Sequence, residues 1–116
     1  MTNKNEEAFL MKRQRICALR EISPNGMMTF TMDTGTTVLV LNSGNDYYAY
    51  QALCPHQEVR LDEGFYDGAV LTCHQHLWQW DVTTGANIGL AEIPLKKYSI
   101  KVEGEELFLL DAGEER

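Results

Sequence analysis

The stretch MMTFTMDTGTTVLVLNSGNDYYAYQAL, Met27 to Leu53, alternates runs of strand-forming residues with turn signals. Its three runs are Met27–Met32, Thr36–Asn42 and Tyr47–Leu53. They are rich in the β-branched and aromatic residues that strands favour. Between them, Thr34-Gly35 and Ser43-Gly44-Asn45 supply residues that accept a positive φ, as tight hairpins require. This stretch therefore predicts three antiparallel strands.

The same pattern continues on both sides of this stretch. Further short β-prone runs are Val70–Thr72, Leu77–Val82, Tyr98–Val102 and Leu107–Leu110. Outside a single turn around Ala18 to Glu21, no window of helical length has apolar residues that recur with the helical period of 3.6. The sequence predicts an all-β fold, an antiparallel β sandwich or small barrel.

Length and composition limit the function classes. A chain of 116 residues with 44% apolar residues is enough for one domain, which we expect over residues 11–116 after a flexible polar leader at residues 1–10. The net charge of −7 argues against a nucleic acid or an anionic membrane as partner. Three cysteines, an odd number, and the lack of any apolar run of membrane-spanning length predict a cytoplasmic protein.

The acidic charge is concentrated in the middle of the chain. Between Glu21 and Leu95, Arg60 is the single basic residue against nine Asp and Glu, which gives this section a charge of −8. Two interpretations stay open: these carboxylates are ordinary solubilising residues, or they steer a basic protein partner.

Two short segments interrupt the strand pattern and carry metal-binding residue types. They are Cys54-Pro55-His56-Gln57 and Cys73-His74-Gln75-His76, and each combines a thiol with an imidazole. Two sulfur and two nitrogen donors on two loops predict one metal centre. A zinc-stabilised domain is the alternative, although the chain has no Cys-x-x-Cys pair of the kind that structural zinc sites use.

At these segments the sequence resembles the Rieske family, whose signature is Cys-x-His followed by Cys-x-x-His. The likeness extends through Glu63-Gly64, His76-Leu77-Trp78 and Thr84-Gly85 to Pro94. Over these residues the sequence is similar to the ferredoxin components of toluene and alkene or isoprene monooxygenases. The resemblance implies one 2Fe-2S cluster per chain. Its implied ligands are Cys54 and Cys73 on the inner iron, and His56 and His76 on the outer iron.

The resemblance also implies roles for nearby residues. Pro94 is expected in a third loop that shields the cluster, and Trp78 is expected to be surface-exposed, a candidate for docking or electron exit together with His56 and His76. Trp80 is expected to lie in the core, and His74 falls on a variable position of the motif. Cys17 matches nothing in the motif and is expected to be a small core residue.

The mixed ligand set has an electrostatic consequence. Two ferric ions, two sulfides, two thiolates and two neutral imidazoles make a neutral oxidised core, which accepts an electron more easily than an all-thiolate dianion. His ligation accordingly raises the potential to about −150 to +300 mV. Gln75, Trp78 and Trp80 stand where high-potential relatives carry Cys, Ser and Tyr, so we expect the lower part of that range.

As function, the resemblance implies a one-electron carrier without enzymatic activity of its own. It would pass electrons from an NADH-dependent flavin reductase to a diiron monooxygenase of the toluene or isoprene type. Alternatives are the ferredoxin of a ring-hydroxylating dioxygenase and, in a different class, a zinc-stabilised or non-redox binding domain. Such a carrier is expected to be a monomer that forms brief, small contacts with each partner.

Overall fold

The computed structural model describes residues 13–55, 59–75 and 77–110, and over these the chain forms three antiparallel sheets. The first sheet has the order β1 (Gln14–Ala18), β11 (Glu106–Leu109), β10 (Ile100–Glu103). The second has the order β2 (Met27–Thr31), β3 (Thr37–Asn42), β4 (Tyr47–Gln51), β9 (Lys97–Tyr98). The third has the order β5 (Phe65–Tyr66), β6 (Val70–Thr72), β7 (Gln79–Asp81), β8 (Asn87–Ile88).

Strand β3 separates two hydrophobic cores. Leu39 and Leu41 point into one core, and Val38 and Val40 into the other, and all four are fully buried. Successive side chains of a strand point to opposite faces, so a strand buried on both faces is apolar at every position. This explains why the run contains no polar residue between Thr37 and Asn42.

The core on the Val38 side lies against the first sheet. Leu107 and Leu109 of β11 fill it together with Cys17 of β1. Burial raises the pKa of the Cys17 thiol to about 11, which keeps this group protonated at neutral pH. Cys17 is therefore a core residue, as predicted, and it lies in the core opposite the other two cysteines.

The core on the Leu39 side lies against the third sheet. Trp80 of β7, Tyr50 of β4 and Val82 are fully buried there, and the Tyr50 hydroxyl donates a 2.7 Å hydrogen bond to the Val82 carbonyl. Gly85 has a φ of +84° in the turn after β7, and a Cβ at this position would lie 3.0 Å from the Tyr50 ring, so this position needs glycine for two reasons. The second and third sheets are thereby fixed to each other.

The predicted all-β fold is confirmed. The turn expected at Ala18 to Glu21 is a 3-10 helix at Leu19–Glu21, and a second 3-10 helix at Leu61–Glu63 was not predicted. Three strands were also missed. The two-residue strands β5 and β8 are too short to show a period, and β1 buries Ile16, Cys17 and Ala18 in a row instead of alternating. The predicted leader at residues 1–10 lies outside the described residues. No helix in the described ranges is long and apolar enough to cross a membrane.

Candidate metal centre

The two cysteine segments form hairpin loops of the same construction. Residues 54–59 lie between the bridged residues Leu53 and Arg60, and residues 73–78 lie between the paired residues Thr72 and Gln79. In each loop the cysteine N–H donates a 2.8 Å hydrogen bond to the carbonyl of the sixth residue, Val59 in the first loop and Trp78 in the second. We call residues 54–59 loop one and residues 73–78 loop two. Their cysteines occupy equivalent positions.

Both loop cysteines are buried, and none of the protein's cysteines forms a disulfide. Cys54 is 3% and Cys73 is 0% exposed, and both belong to the core on the Leu39 side. His56 and His76 lie outside the described residues. Over the described ranges alone, no group of three or more His, Cys, Asp and Glu side chains is placed to hold a metal. The four-ligand assignment therefore stays a proposal.

The cysteines fit an iron-sulfur cluster better than a purely structural role. Two buried thiols at equivalent positions of two loops offer a soft donor pair. In the sequence, His56 is the third residue of loop one and His76 is the fourth residue of loop two. A Rieske cluster takes two such thiolates and two imidazoles. Cys54 and Cys73 would hold one iron, and His56 and His76 the other.

A third loop packs beside the cysteines and is fixed by side chains of the third sheet. Ala91 and Leu95 lie in the same core as Cys54 and Cys73. The Trp80 indole N–H donates a 2.8 Å hydrogen bond to the Ile93 carbonyl, and the Asn87 amide donates a 2.7 Å bond to the Ala91 carbonyl. Pro94 stands exposed between Ile93 and Leu95. This arrangement supports the proposed shielding role of the Pro94 loop.

Trp78 corrects one expectation. Its ring is only 8% exposed, and it packs edge-to-face against Trp80 with 6.2 Å between ring centroids. Trp78 lies two residues before Trp80, and side chains two apart on an extended chain share a face, so both rings lie in the same core. The expected surface exposure of Trp78 is therefore wrong, whereas Trp80 is fully buried as predicted. A role of Trp78 in docking or electron exit, together with His56 and His76, stays a proposal. The exposed side chain of this run is Leu77, at 61%.

His74 points toward a carboxylate of the neighbouring segment. Its Nε2 lies 3.7 Å from Oε1 of Glu63, which ends the 3-10 helix after loop one.

The next residue, Gly64, lies close to the backbone of Thr72. A Cβ on Gly64 would overlap the Thr72 carbonyl oxygen. Gly64 is thus required for the chain after loop one to approach the base of loop two. Close contacts of this kind leave no periodic signal in the sequence.

The charge near the loops is negative. Arg60, the single cation of the acidic section, forms two hydrogen bonds with Asp62, of 2.6 and 3.0 Å, and this pairing raises the pKa of Arg60. Glu63 and Glu92 remain exposed on the segments beside the loops. The surface around the candidate centre therefore presents carboxylates to an approaching protein.

Comparison with known proteins identifies the family. The model of the Rieske [2Fe-2S] domain matches residues 12–101. The methanesulfonate monooxygenase ferredoxin subunit of Methylosulfonomonas methylovora is 35% identical, over 85% of this chain and 80% of that protein. The ferredoxin component of the alkene monooxygenase system of Xanthobacter autotrophicus is 34% identical, over 81% and 77%.

A solved structure agrees with these relatives. The ferredoxin of carbazole 1,9a-dioxygenase from Nocardioides aromaticivorans IC177 superimposes with a TM-score of 0.78 and 31% identity, over 84% of this chain and 96% of that one. The family match decides for an iron-sulfur cluster over the zinc-stabilised alternative. This chain belongs to the Rieske [2Fe-2S] family, and it is a ferredoxin component of an oxygenase system that carries one 2Fe-2S cluster and transfers electrons rather than catalysing a reaction.

Proposed function

We propose that this ferredoxin carries single electrons from an NADH-dependent flavin reductase to a multicomponent diiron monooxygenase of the toluene or isoprene type. The observation that carries the choice of a monooxygenase as acceptor is the identity of 35% and 34% with ferredoxins named for two monooxygenases, over four fifths of the chain. The His76-Leu77-Trp78 run, which resembles the toluene and isoprene systems, supports the same choice.

The architecture suits a carrier. When bound, the cluster accepts and releases one electron. The chain's own residues hold that site between two closed loops, bury both thiols and cover one side with the Pro94 loop. Rigid surroundings keep reorganisation on electron gain or loss small, and the backbone bonds that begin at Cys54 and Cys73 supply that rigidity.

The acidic surface suits brief docking. Exposed carboxylates such as Glu63 and Glu92 attract a partner with a basic docking face and speed the encounter, and the attraction weakens as salt screens it. We therefore expect the rate of electron transfer to fall with rising ionic strength. A rate that stays flat or rises would remove the steering role.

A ring-hydroxylating dioxygenase is the second candidate acceptor. The 31% identity with the carbazole dioxygenase ferredoxin, over 96% of that chain, favours it. The two candidates make opposite predictions in one experiment. The holoprotein replaces the native ferredoxin in two purified NADH-driven systems, a toluene monooxygenase with a diiron hydroxylase and a carbazole dioxygenase with a Rieske oxygenase.

The proposal predicts that product forms at least about tenfold faster per ferredoxin with the diiron hydroxylase. The reverse ranking would assign the chain to dioxygenases. Product formation in neither system, with the cluster intact, would contradict both acceptor classes.

The remaining parts of the proposal concern the state of the protein. Three cysteines without a disulfide suit a reducing compartment, and we propose that the ferredoxin works in the cytoplasm as a monomer. We also propose that residues 11–116 act as one domain, since the two cores share strand β3. Sedimentation of the holoprotein at the mass of one chain is the expected result.

A further inference from the structure

Leu77 has an unusual backbone conformation for its residue type. Its φ is +59°, in the left-handed region that glycine favours, and the other non-glycine residue with a positive φ in the described ranges is Asn25. Asparagine tolerates this region because its short polar side chain can bond locally, but leucine does not. A strained residue is kept where something else compensates for it.

The backbone of loop two explains the conformation but not the leucine. The Leu77 N–H donates a 3.0 Å hydrogen bond to the Cys73 carbonyl, and the next residue, Trp78, accepts the bond that closes the loop. A left-handed residue just before the end of the loop allows both bonds to form. Glycine would meet this requirement without strain. The side chain must therefore have a different use.

The Leu77 side chain contributes little to the interior. It is 61% exposed and belongs to neither core, whereas the adjacent Trp78 is buried. Beneath it the support is rigid, because Trp78 packs on Trp80 and the Trp80 indole is bonded to the Ile93 carbonyl. Leu77 is thus an apolar side chain held outward by a fixed loop, one residue from the proposed ligand His76.

The surroundings of Leu77 indicate which partner surface would fit it. Glu63 faces loop two through His74, and Glu92 is exposed on the third loop. The section that contains both has a charge of −8. Leu77 shares this end of the molecule with other exposed apolar side chains, Phe65 beside loop two and Leu90 and Ile93 on the third loop. An apolar projection with carboxylates nearby is complementary to an apolar recess with Lys and Arg around its rim.

We propose that Leu77 is the docking contact that inserts into an apolar, basic-rimmed recess on the oxygenase component that accepts the electron. The inference deepens the proposed carrier function and rests on it. Such a contact would place the partner beside the outer ligand of loop two. It also explains the retained strain, since the left-handed backbone directs the side chain away from the core.

Two substitutions at Leu77 separate docking from folding. Leu77→Gly removes both the side chain and the strain, and Leu77→Ala removes the side chain but keeps a Cβ in the left-handed region. Val102→Ala is the matched control, because Val102 is also an exposed apolar residue, 47% exposed, but lies on β10 of the first sheet. Stopped-flow mixing of each reduced holoprotein with the diiron hydroxylase gives the second-order rate of electron transfer.

We expect both Leu77 variants to lose about tenfold in this rate, the loss expected when one aliphatic side chain is removed from a buried contact. Their iron content, midpoint potential and rate of reduction by the reductase should match the wild type. Leu77→Gly should melt at the same or a higher temperature than the wild type. Val102→Ala should transfer at the wild-type rate.

Three outcomes would overturn the inference. One is an unchanged transfer rate in Leu77→Gly. Another is a loss that follows a shifted midpoint potential, which would make Leu77 a shield of the cluster. The third is a loss confined to the reductase step. If the wild type transfers to a Rieske oxygenase instead of the diiron hydroxylase, the proposed acceptor is wrong, and the same variants test Leu77 on the oxygenase that is active.

Discussion

Loop one and loop two close in the same way but are supported differently. In each, a buried cysteine donates to the carbonyl of the sixth residue at 2.8 Å. Loop two connects paired strands β6 and β7, whereas loop one is flanked by the isolated bridge between Leu53 and Arg60 and by a bond from the Leu61 N–H to the Ala52 carbonyl. The two cysteines therefore occupy equivalent positions although their loops are supported by different strand pairing. Loop one, which has less strand pairing, depends more on close contacts with loop two.

The largest expected effect tests the equivalence of the loops. His56→Ala in loop one and His76→Ala in loop two should each abolish cluster incorporation, because each would remove one of the two imidazoles proposed to hold the same iron. Iron and acid-labile sulfide after anaerobic reconstitution measure this. His74→Ala is the control and should keep a full cluster and the wild-type spectrum. A full cluster in either ligand variant would contradict the assignment.

Gly64→Ala should break the contact that holds the segment after loop one against the base of loop two. The added methyl group would overlap the Thr72 carbonyl oxygen next to Cys73, which is backbone and cannot rotate away. We expect a cost of about 2 to 3 kcal/mol, typical of overpacking, seen as a lower melting temperature of the holoprotein. Gly44→Ala is the control. Gly44 has a positive φ but open space around it, so this substitution should cost only about 1 kcal/mol. Equal losses would argue against the contact.

Trp80→Phe tests the support of loop two and the third loop together. The substitution keeps a ring in the core but removes the hydrogen bond to the Ile93 carbonyl. We expect about 2 kcal/mol of destabilisation, from the lost hydrogen bond and the cavity left by the smaller ring, and faster cluster loss in the presence of a chelator. Tyr50→Phe removes a comparable bond, to the Val82 carbonyl, away from the third loop, and keeps the ring. It should cost about 1 kcal/mol of stability without the faster cluster loss.

The smallest expected effect concerns Cys17, which lies in the other core. Its pKa of about 11 is raised by burial, so the folded state holds this proton more tightly than the unfolded state does. The Cys17 contribution to stability should thus be complete below pH about 8.5 and decrease as the pH rises toward 11. Denaturation of the wild type and of Cys17→Ala between pH 7 and 10 measures this difference. A larger decrease with pH in Cys17→Ala than in the wild type would contradict the assigned burial.

The sequence was sufficient for most of the longer strands and for the two cysteine loops, because runs of strand-forming residues and Cys-His spacing are local signals, but it missed β1, β5 and β8. The exposure that the family resemblance implied for Trp78 was wrong, because this ring packs against Trp80 in the core on the Leu39 side. Nothing in the sequence indicated the left-handed Leu77 or the contact between Gly64 and Thr72. Backbone angles of non-glycine residues and approaches between distant segments depend on tertiary packing, which no local pattern encodes.

The midpoint potential of the purified holoprotein, measured by protein-film voltammetry, tests the central claim most directly. Two thiolates from Cys54 and Cys73 and two imidazoles from His56 and His76 predict a one-electron wave in the lower part of the range from about −150 to +300 mV. A wave near about −400 mV, where all-thiolate plant-type clusters lie, would contradict the ligand set. The absence of any wave from protein that contains stoichiometric zinc would contradict the cluster itself.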